Sequence, residues 1–480
     1  MNYETVIGME VHVELRTQSK MFCPCPADHF HVDANNHVCP VCTAQPGALP
    51  VINGRAIELT VMTGMALGCE IRPHSVFARK NYVYPDLPKG YQVSQYELPL
   101  CEHGQVHIPV TDGTDKAIAK RIVIERVHLE EDTGKLQHQG NASLVDYNRA
   151  GVPLMEIVTD ASIRSADEAF AYVQKIRQLV RYLGASTGDM EKGAMRCEAN
   201  ISVRPVGSEE YGTKVEVKNL NSFRAVRNAI DYEVRRQIEL IEQGGSVRQV
   251  TMGWDENANV TKEQRSKEFA DDYRYFPEPD LLDVDVSEEW IDGVRNQLPE
   301  LPDERARRFE EALQISSEEA ALVSEDRAVA DWFEQVVGAG GDARAAANWI
   351  TGEVFRRLKV VDGAIEDVTV SPERLAELIG LVTAGTISGS AAKEVFATLW
   401  DEGGSAAQIV EAKGLQQVSD SGELESQVEA VISEHGDAAD KVRAGDSKPI
   451  QFLMGMVMRA SKGKANPQMV QQLLRNKLQA

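Results

Sequence analysis

No stretch of the chain approaches the roughly 18 consecutive apolar residues that a membrane-spanning helix requires. No basic-then-apolar leader opens it either. The N-terminus, MNYETVIGMEVHVEL, reads as a strand with charges inside it, which predicts a cytoplasmic protein with no membrane attachment. A G-x-x-x-x-G-K-[ST] loop is missing, which excludes a P-loop ATPase. A nucleophile elbow is missing too, and the Gly-Gly-Ser runs at 244–246 and 403–405 do not continue into the Ser-Ser-Gly-Gly of amidase-signature hydrolases. The pattern G-x-G-x-x-A at Gly338–Ala343 follows a helical stretch, not a strand, and reads as a helix stop. Cysteine is sparse and odd in number, seven in 480 residues, with four clustered in sequence. That suits a metal clip in a reducing compartment better than a disulfide framework.

What is present is an ordinary globular mix, 42% hydrophobic and 26% charged, with apolar material for several cores. A length of 480 residues predicts two to four domains, at about 100–200 residues each. Net charge is −23, which argues against nucleic acid. The average hides an asymmetry: residues 441–480 carry +7, leaving −30 for the rest, and a basic tail on an acidic body still neutralises phosphate locally. The alternative for that tail is a solvated helical face.

The first 290 residues or so read as short alternating runs separated by turn signals (YPDLPKG, EHGQ, TDGTD, PVGSEEYG). Two helical patterns interrupt them. One begins with Ser165 as N-cap and Glu168 three residues on, and stops at Gly184; the other runs from SFRAVRN to Gly244-Gly245. From LPELPDERARRF onward the chain becomes helical, with a capping box at Ser316/Glu319 and openings at Ser371-Pro372 and Asn466-Pro467. The expected class is α+β: a large β-rich cradle-like catalytic domain over 1–293, an all-α domain over 294–405, and a small basic helical tail over 406–480.

Strand periodicity locates the candidate chemistry. In VIGMEVHVEL, Ile7, Met9, Val11, Val13 and Leu15 share one face, and Glu10, His12 and Glu14 the other. In IVIERVHLEED, Val123, Val127 and Leu129 oppose Arg126, His128 and Glu130, with Glu125 out of place among the apolar set. In MRCEANISVRP the polar face is Arg196, Glu198, Asn200, Ser202 and Arg204; TKVEVK follows it as a hairpin partner with Lys214, Glu216 and Lys218. A single polar strand face is ordinarily just wet. Here the faces mix carboxylates, amides and cations, and Glu156 sits inside the apolar run PLMEIV, where a carboxylate is costly unless paired or metal-bound. Glu10, Glu130, Glu156 and His12 form a candidate oxygen-rich site of the kind Mg²⁺ prefers. Imidazole is an unusual Mg²⁺ ligand, which leaves His12 as a ligand or as the handler of a proton or water. Separately, Cys23-Pro-Cys25 and Cys39-Pro-Val-Cys42 give C-x-C-x13-C-x2-C, a four-thiolate pattern for a closed structural Zn²⁺ site without an open catalytic position.

The strings ETVIGMEVHVEL, KNYVYPDLPKGYQVSQYELP, HLEEDTGK, SLVDYNRAGVPLMEIVT, RCEANISVRP, KVEVKNLNSF, DDYRYFPEPDL and ASKGKANPQMV closely resemble the B-subunit family of the bacterial aspartyl/glutamyl-tRNA amidotransferases, from residue 4 to residue 470. The resemblance implies a cradle catalytic domain, a helical domain and a tail domain contacting tRNA. It implies a heterotrimer with an amidase-type A subunit that hydrolyses glutamine and a small C subunit. The implied activity is ATP- and Mg²⁺-dependent phosphorylation of the carboxyl group of misacylated Glu-tRNA(Gln) or Asp-tRNA(Asn), followed by amidation with ammonia. The family's metal site falls on His12, Glu130 and Glu156, with Glu10 adjacent. Its approach to ATP phosphates and the acceptor end falls on Lys80, Asn81, Arg126, Glu198, Asn200, Ser202 and Lys218. Some members lack the four cysteines, which argues against a catalytic zinc. Two rivals stand beside this reading: a non-catalytic tRNA-docking scaffold, and a carboxylate–amine ligase for small molecules.

Overall fold

The computed structural model describes residues 2–111, 117–266, 273–417, 421–444, 448–461 and 465–478. Contacts divide the chain into two compact units, Met1–Leu301 and Pro302–Ala480.

The first unit is built on strands β1 (Tyr3–Glu14), β2 (Glu70–Ile71), β3 (His74–Ser75), β4 (Ala78–Asn81), β5 (Tyr91–Ser94), β6 (Cys101–Thr111), β7 (Ala117–Glu131), β8 (Lys135–Gln139), β9 (Ala142–Asp146), β10 (Pro153–Thr159), β11 (Met195–Pro205), β12 (Val215–Leu220), β13 (Val250–Asp255), β14 (Val260–Ser266), β15 (Phe276–Pro277) and β16 (Val284–Asp285). Nine of them form one sheet in the order β14-β13-β12-β11-β1-β10-β7-β6-β2. Every neighbouring pair is antiparallel except β12 and β13. A short sheet, β15-β4-β5, carries Lys80 and Asn81.

Helices α1 (Gly54–Ala66), α2 (Ala166–Tyr182) and α3 (Phe223–Glu242) pack on the large sheet. The apolar alternation of β1 faces them: Ile7, Met9, Val11 and Val13 are wholly buried in one core with Tyr172, Val173 and Ile176 of α2. The polar alternation is thereby turned to the opposite face. The expected cap at Ser165 and stop at Gly184 are present, and Ser222 caps α3 as well. Ser165 accepts from the Glu168 amide and Ser222 from the Ala225 amide, and Gly184 takes φ +66° past the end of α2. Helix α1 was not expected from the sequence. It is buried on nearly every side, from Ala56 and Ile57 through Gly64, and so lacks the polar stripe by which an amphipathic helix is read.

Strand β7 corrects one detail of the periodicity. Val158 of β10 pairs with Arg126 and Thr159 with Ile124, so Glu125 is skipped in a bulge and stands exposed. Ile122 and Ile124 are buried before the bulge, Val127 and Leu129 after it, while Val123 is not part of the buried face.

The second unit is helical. Helices from Pro302–Leu313 to Ala406–Lys413 enclose a core that includes Phe309, Phe333, Ile350 and Phe396 and extends to Val410. Ser316 and Glu319 form the expected capping box, and Pro372 opens the helix Pro372–Thr383. A separate core starting at Leu424 gathers Val428, Leu453, Val457 and Leu474. In this last segment Arg443 pairs with Asp440 and Lys477 with Glu425 and Glu429, so part of its positive charge is met locally. Lys462 and Lys464 of the SKGKANP motif lie outside the described residues, as do Asp271 and Asp272 of DDYRYFPEPDL and most of the TDGTD turn.

Gly64 of α1 tests the packing of α1 against β6. Alanine in a helix ordinarily improves on glycine by about 1 kcal/mol. A Cβ at Gly64, however, would stand 2.5 Å from Cys101 Sγ and 2.9 Å from its Cβ. Gly64→Ala is expected to lower stability by about 1–3 kcal/mol through overpacking, read as a drop in the urea midpoint at unchanged slope; a raised midpoint would contradict this packing.

Candidate functional site

The register of the large sheet assembles the site. His12 on β1 pairs with Glu156 on β10, and Glu156 in turn pairs with His128 on β7. On the other side His12 pairs with Arg196 and Glu10 with Glu198 on β11, and Asn200 pairs with Glu216 on β12. Because side chains alternate along each strand, partners in register project to one face. Five strands thus deliver one continuous polar field.

Its centre is compact. His12 Nε2 lies 3.5 Å from Glu130 Oε1 and 3.5 Å from Glu156 Oε2, and His128 Nε2 lies 3.3 Å from the same Glu156 oxygen. His12, Glu130 and Glu156 offer ligand atoms all within 4.8 Å of one another. Glu10, Glu198 and Glu216 form a second such group beside them. Sequence periodicity marks Glu10, Glu198 and Glu216 singly; their convergence follows only from the pairing of β1, β11 and β12. Asn200 Nδ2 donates to Glu10 Oε1 at 2.9 Å and fixes that carboxylate.

The electrostatics show what the field lacks. Burial, reinforced by Glu156, pushes the Glu130 carboxyl up to about 8, and burial with Glu156 and Glu198 nearby raises Glu10. Glu130 Oε2 is buried and accepts no hydrogen bond. Burial disfavours the imidazolium of His12, yet Glu156, Glu198 and Glu130 together outweigh it and hold His12 at about 9. Glu156 is kept well below the ordinary carboxylate range, because His128 and His12 together overcome its burial. Lys80 is half-buried, and Glu130 and its neighbours keep its ammonium protonated. An orphaned carboxylate oxygen among acids that repel one another is the donor chemistry of a hard divalent cation. His12, Glu130 and Glu156 fit one such ion.

These groups line a cavity of about 450 Å³. Of the residues singled out from sequence, Glu10, His12, Lys80, Arg126, Glu130, Glu156, Glu198 and Lys218 line it. Asn81, Asn200 and Ser202 do not. Asn81 Nδ2 donates to the carbonyls of Tyr273 at 3.1 Å and Arg274 at 2.8 Å, tying that segment to β4. Ser202 is buried opposite Val6, farther along β11. Sequence reasoning passed over several other wall residues. Asp132 bonds Arg196 at 2.6 Å and is held below the usual carboxylate range, its burial overcome by Arg196 and Arg149. Tyr82, Tyr96, Tyr273 and Tyr275 form an aromatic rim; scattered single tyrosines carry no periodic signal by which they could have been found.

Away from this cavity, Cys23, Cys25, Cys39 and Cys42 bring their sulfurs within 4.8 Å of one another, a possible four-cysteine metal site. The ammonium of Lys20, only 1% exposed, lies 3.6 Å from Cys42 Sγ. A hydrogen bond from Cys23, with Lys20 adding to it, pulls the Cys42 thiol toward its thiolate form. Four sulfurs with a buried cation beside them fit a tetrahedral zinc. Cys69, Cys101 and Cys197 stand apart from this group as free thiols.

The cavity is floored by carboxylates and imidazoles and walled by Lys80, Arg126, Arg196 and Lys218, so one β-sheet scaffold sets cation-attracting beside anion-attracting groups. Residues 5–292 match the GatB/GatE catalytic domain and residues 331–478 the GatB domain. The chain is 50% identical to the B subunit of the aspartyl/glutamyl-tRNA(Asn/Gln) amidotransferase of Trichlorobacter lovleyi over 479 residues, spanning all of both chains. The same holds at 50% over 480 residues for the protein of the same name from Pelodictyon phaeoclathratiforme, and at 49% over 481 residues for that of Chlorobaculum tepidum. The chain belongs to the B-subunit family of the aspartyl/glutamyl-tRNA(Asn/Gln) amidotransferases, one component of a multi-subunit, tRNA-dependent amidating enzyme. Among the described residues no helix is long and apolar enough to cross a membrane.

The cysteine group yields a direct check. The purified chain is expected to carry about one zinc per molecule by elemental analysis, and the Cys39→Ser/Cys42→Ser double variant none. A wild-type chain without zinc above background would remove the assignment.

Proposed function

We propose that this chain uses ATP to phosphorylate the side-chain carboxylate of misacylated Glu-tRNA(Gln), Asp-tRNA(Asn) or both, and that ammonia then converts the acyl phosphate to the amide. The observation that carries the reading is the meeting of His12, Glu130 and Glu156 with buried, under-neutralised charge beside Lys80, Arg126, Arg196 and Lys218 in one cavity.

A carboxylate is a poor electrophile because its leaving group would be an oxide. In the proposed first step a carboxylate oxygen attacks the γ-phosphorus, and the bond to ADP breaks with its electron pair leaving on ADP. In the second step the lone pair of ammonia attacks the acyl carbon. Phosphate departs, and the nitrogen sheds a proton. A divalent cation held by His12, Glu130 and Glu156 would offset phosphate charge as the bond to ADP lengthens. The chain's own groups do the rest. Lys80, Arg126 and Lys218 attract and orient the phosphates, and Lys218 is itself set by its bond to Glu198. Asn200 keeps Glu10 in place. Glu10, Glu198 and Glu216 would hold a second cation, which would offset further phosphate charge. Arg196, anchored on Asp132, faces the same space for the aminoacyl end.

Among the described residues no amidase nucleophile accompanies this site. The ammonia is therefore assigned to an amidase-type A subunit, with a small C subunit bracing the pair in a heterotrimer. The last segment, 406–480, whose final forty residues are basic, is assigned to tRNA contact, and the preceding helices, 294–405, to its support. Zinc at Cys23, Cys25, Cys39 and Cys42 is structural in this scheme, and the chain acts in the cytoplasm.

Glu130→Ala and Glu156→Ala, each assembled with the partner subunits, are expected to abolish ATP-dependent amide formation on misacylated tRNA while glutamine hydrolysis stays measurable. Amide formation at the wild-type rate in both variants would overturn the assignment.

A further inference from the structure

The charged cavity does not end at its phosphate-binding wall. A smaller hollow of about 130 Å³ adjoins it, walled by Val76, Ala78, Leu98 and Pro277. Tyr96 and Tyr275 line both spaces, so the two meet at this pair. The two rings lie parallel, 6° apart with centroids at 4.2 Å. Tyr273 braces Tyr275 edge-on at 6.1 Å, and the Arg126 guanidinium sits 5.9 Å from the Tyr96 ring while donating to the Tyr96 carbonyl at 3.1 Å.

This stack does not serve the core: Tyr96 is 38% exposed. A polar, cation-walled cavity that passes into a small apolar hollow with a flat aromatic flank has the two halves of a nucleotide. Phosphates need the first, and a heteroaromatic base gains from the second by stacking. Glu97 also lines the hollow, exposed and without an ion pair among the described residues. Its carboxylate accepts from the exocyclic amine of adenine and repels the carbonyl oxygen that guanine holds at the same position.

We propose that the Tyr96–Tyr275 pair and the hollow beside it form a subsite for an adenine base. The proposal rests on the ATP-dependent reading given above and adds to it the groups that hold the base. Two adenines are available to that reaction: the base of ATP itself, and the terminal adenosine of the tRNA acceptor end.

The test uses the assembled complex with ATP and misacylated tRNA, comparing Tyr96→Ala, Tyr96→Phe and Glu97→Gln. Tyr96→Ala is expected to raise one KM by about five- to a hundredfold, the range that loss of one base–aromatic stack produces. Tyr96→Phe keeps the ring and is expected to restore the wild-type value. A rise in the KM for ATP assigns the base of ATP; in that case Glu97→Gln, whose amide both donates and accepts, narrows the preference for ATP over GTP. A rise in the KM for tRNA assigns the terminal adenosine. Unchanged KM values for both in Tyr96→Ala would overturn the subsite, as would a Tyr96→Phe enzyme as impaired as Tyr96→Ala. A wild-type complex that formed no ADP with misacylated tRNA would instead remove the ATP-dependent reading beneath it.

Discussion

Everything at the site depends on antiparallel register around β1. A strand shifted by one residue turns every side chain to the opposite face. The row His12–Glu156–His128 exists only because β1, β10 and β7 pair as they do. What locks that register is not the polar row but its reverse. Ile7, Met9, Val11, Val13, Met155, Ile157, Val127 and Leu129 are buried in one core, and slippage would drive them into a field of carboxylates. Burying each such side chain stabilises the fold by about 1.5–3 kcal/mol. The apolar face therefore holds the polar face in place, and the bulge at Glu125 lets β7 keep both alternations over its length.

The polar face itself is frustrated. Glu10 and Glu130 are driven toward protonation by burial and by neighbouring acids, while Lys80 and His12 are held charged by the same acids. Such an arrangement contributes little to stability by itself, since desolvating ions offsets much of their attraction. It is instead a preorganised field, and in the proposed reaction divalent cations and phosphates would relieve repulsion among its acids and among its bases. The four-cysteine group is the opposite kind of feature, four sulfurs gathered by two short cysteine motifs with a buried lysine beside them.

Much of this was legible in the sequence, and the reason is period two. Alternation placed Glu10, His12, Arg126, His128, Glu130, Arg196 and Glu198 on polar faces before any pairing was known, and the helix caps at Ser165 and Ser316 were explicit. The hairpin of β11 and β12 was legible, but the pairing of β1 with β10 and β11 was not, because these partners are far apart in the chain. The second acidic group therefore emerged only from the fold. Helix α1 was hidden by its burial on nearly every side. Asn81 and Ser202 share strands with site residues yet stand outside the cavity wall, since a matching motif does not say where a cavity ends. The tyrosine rim gathers residues from positions 82 to 275, a separation that no local pattern records.

In the proposed reaction one carboxyl oxygen of the aminoacyl group becomes an oxygen of phosphate. The most direct measurement labels that carboxyl with heavy oxygen, supplies ATP, the partner subunits and glutamine, and reads the mass of the phosphate released with each amide formed. Transfer of one heavy oxygen into phosphate is the predicted result. Phosphate free of label, formed at the same rate as the amide, would contradict the account.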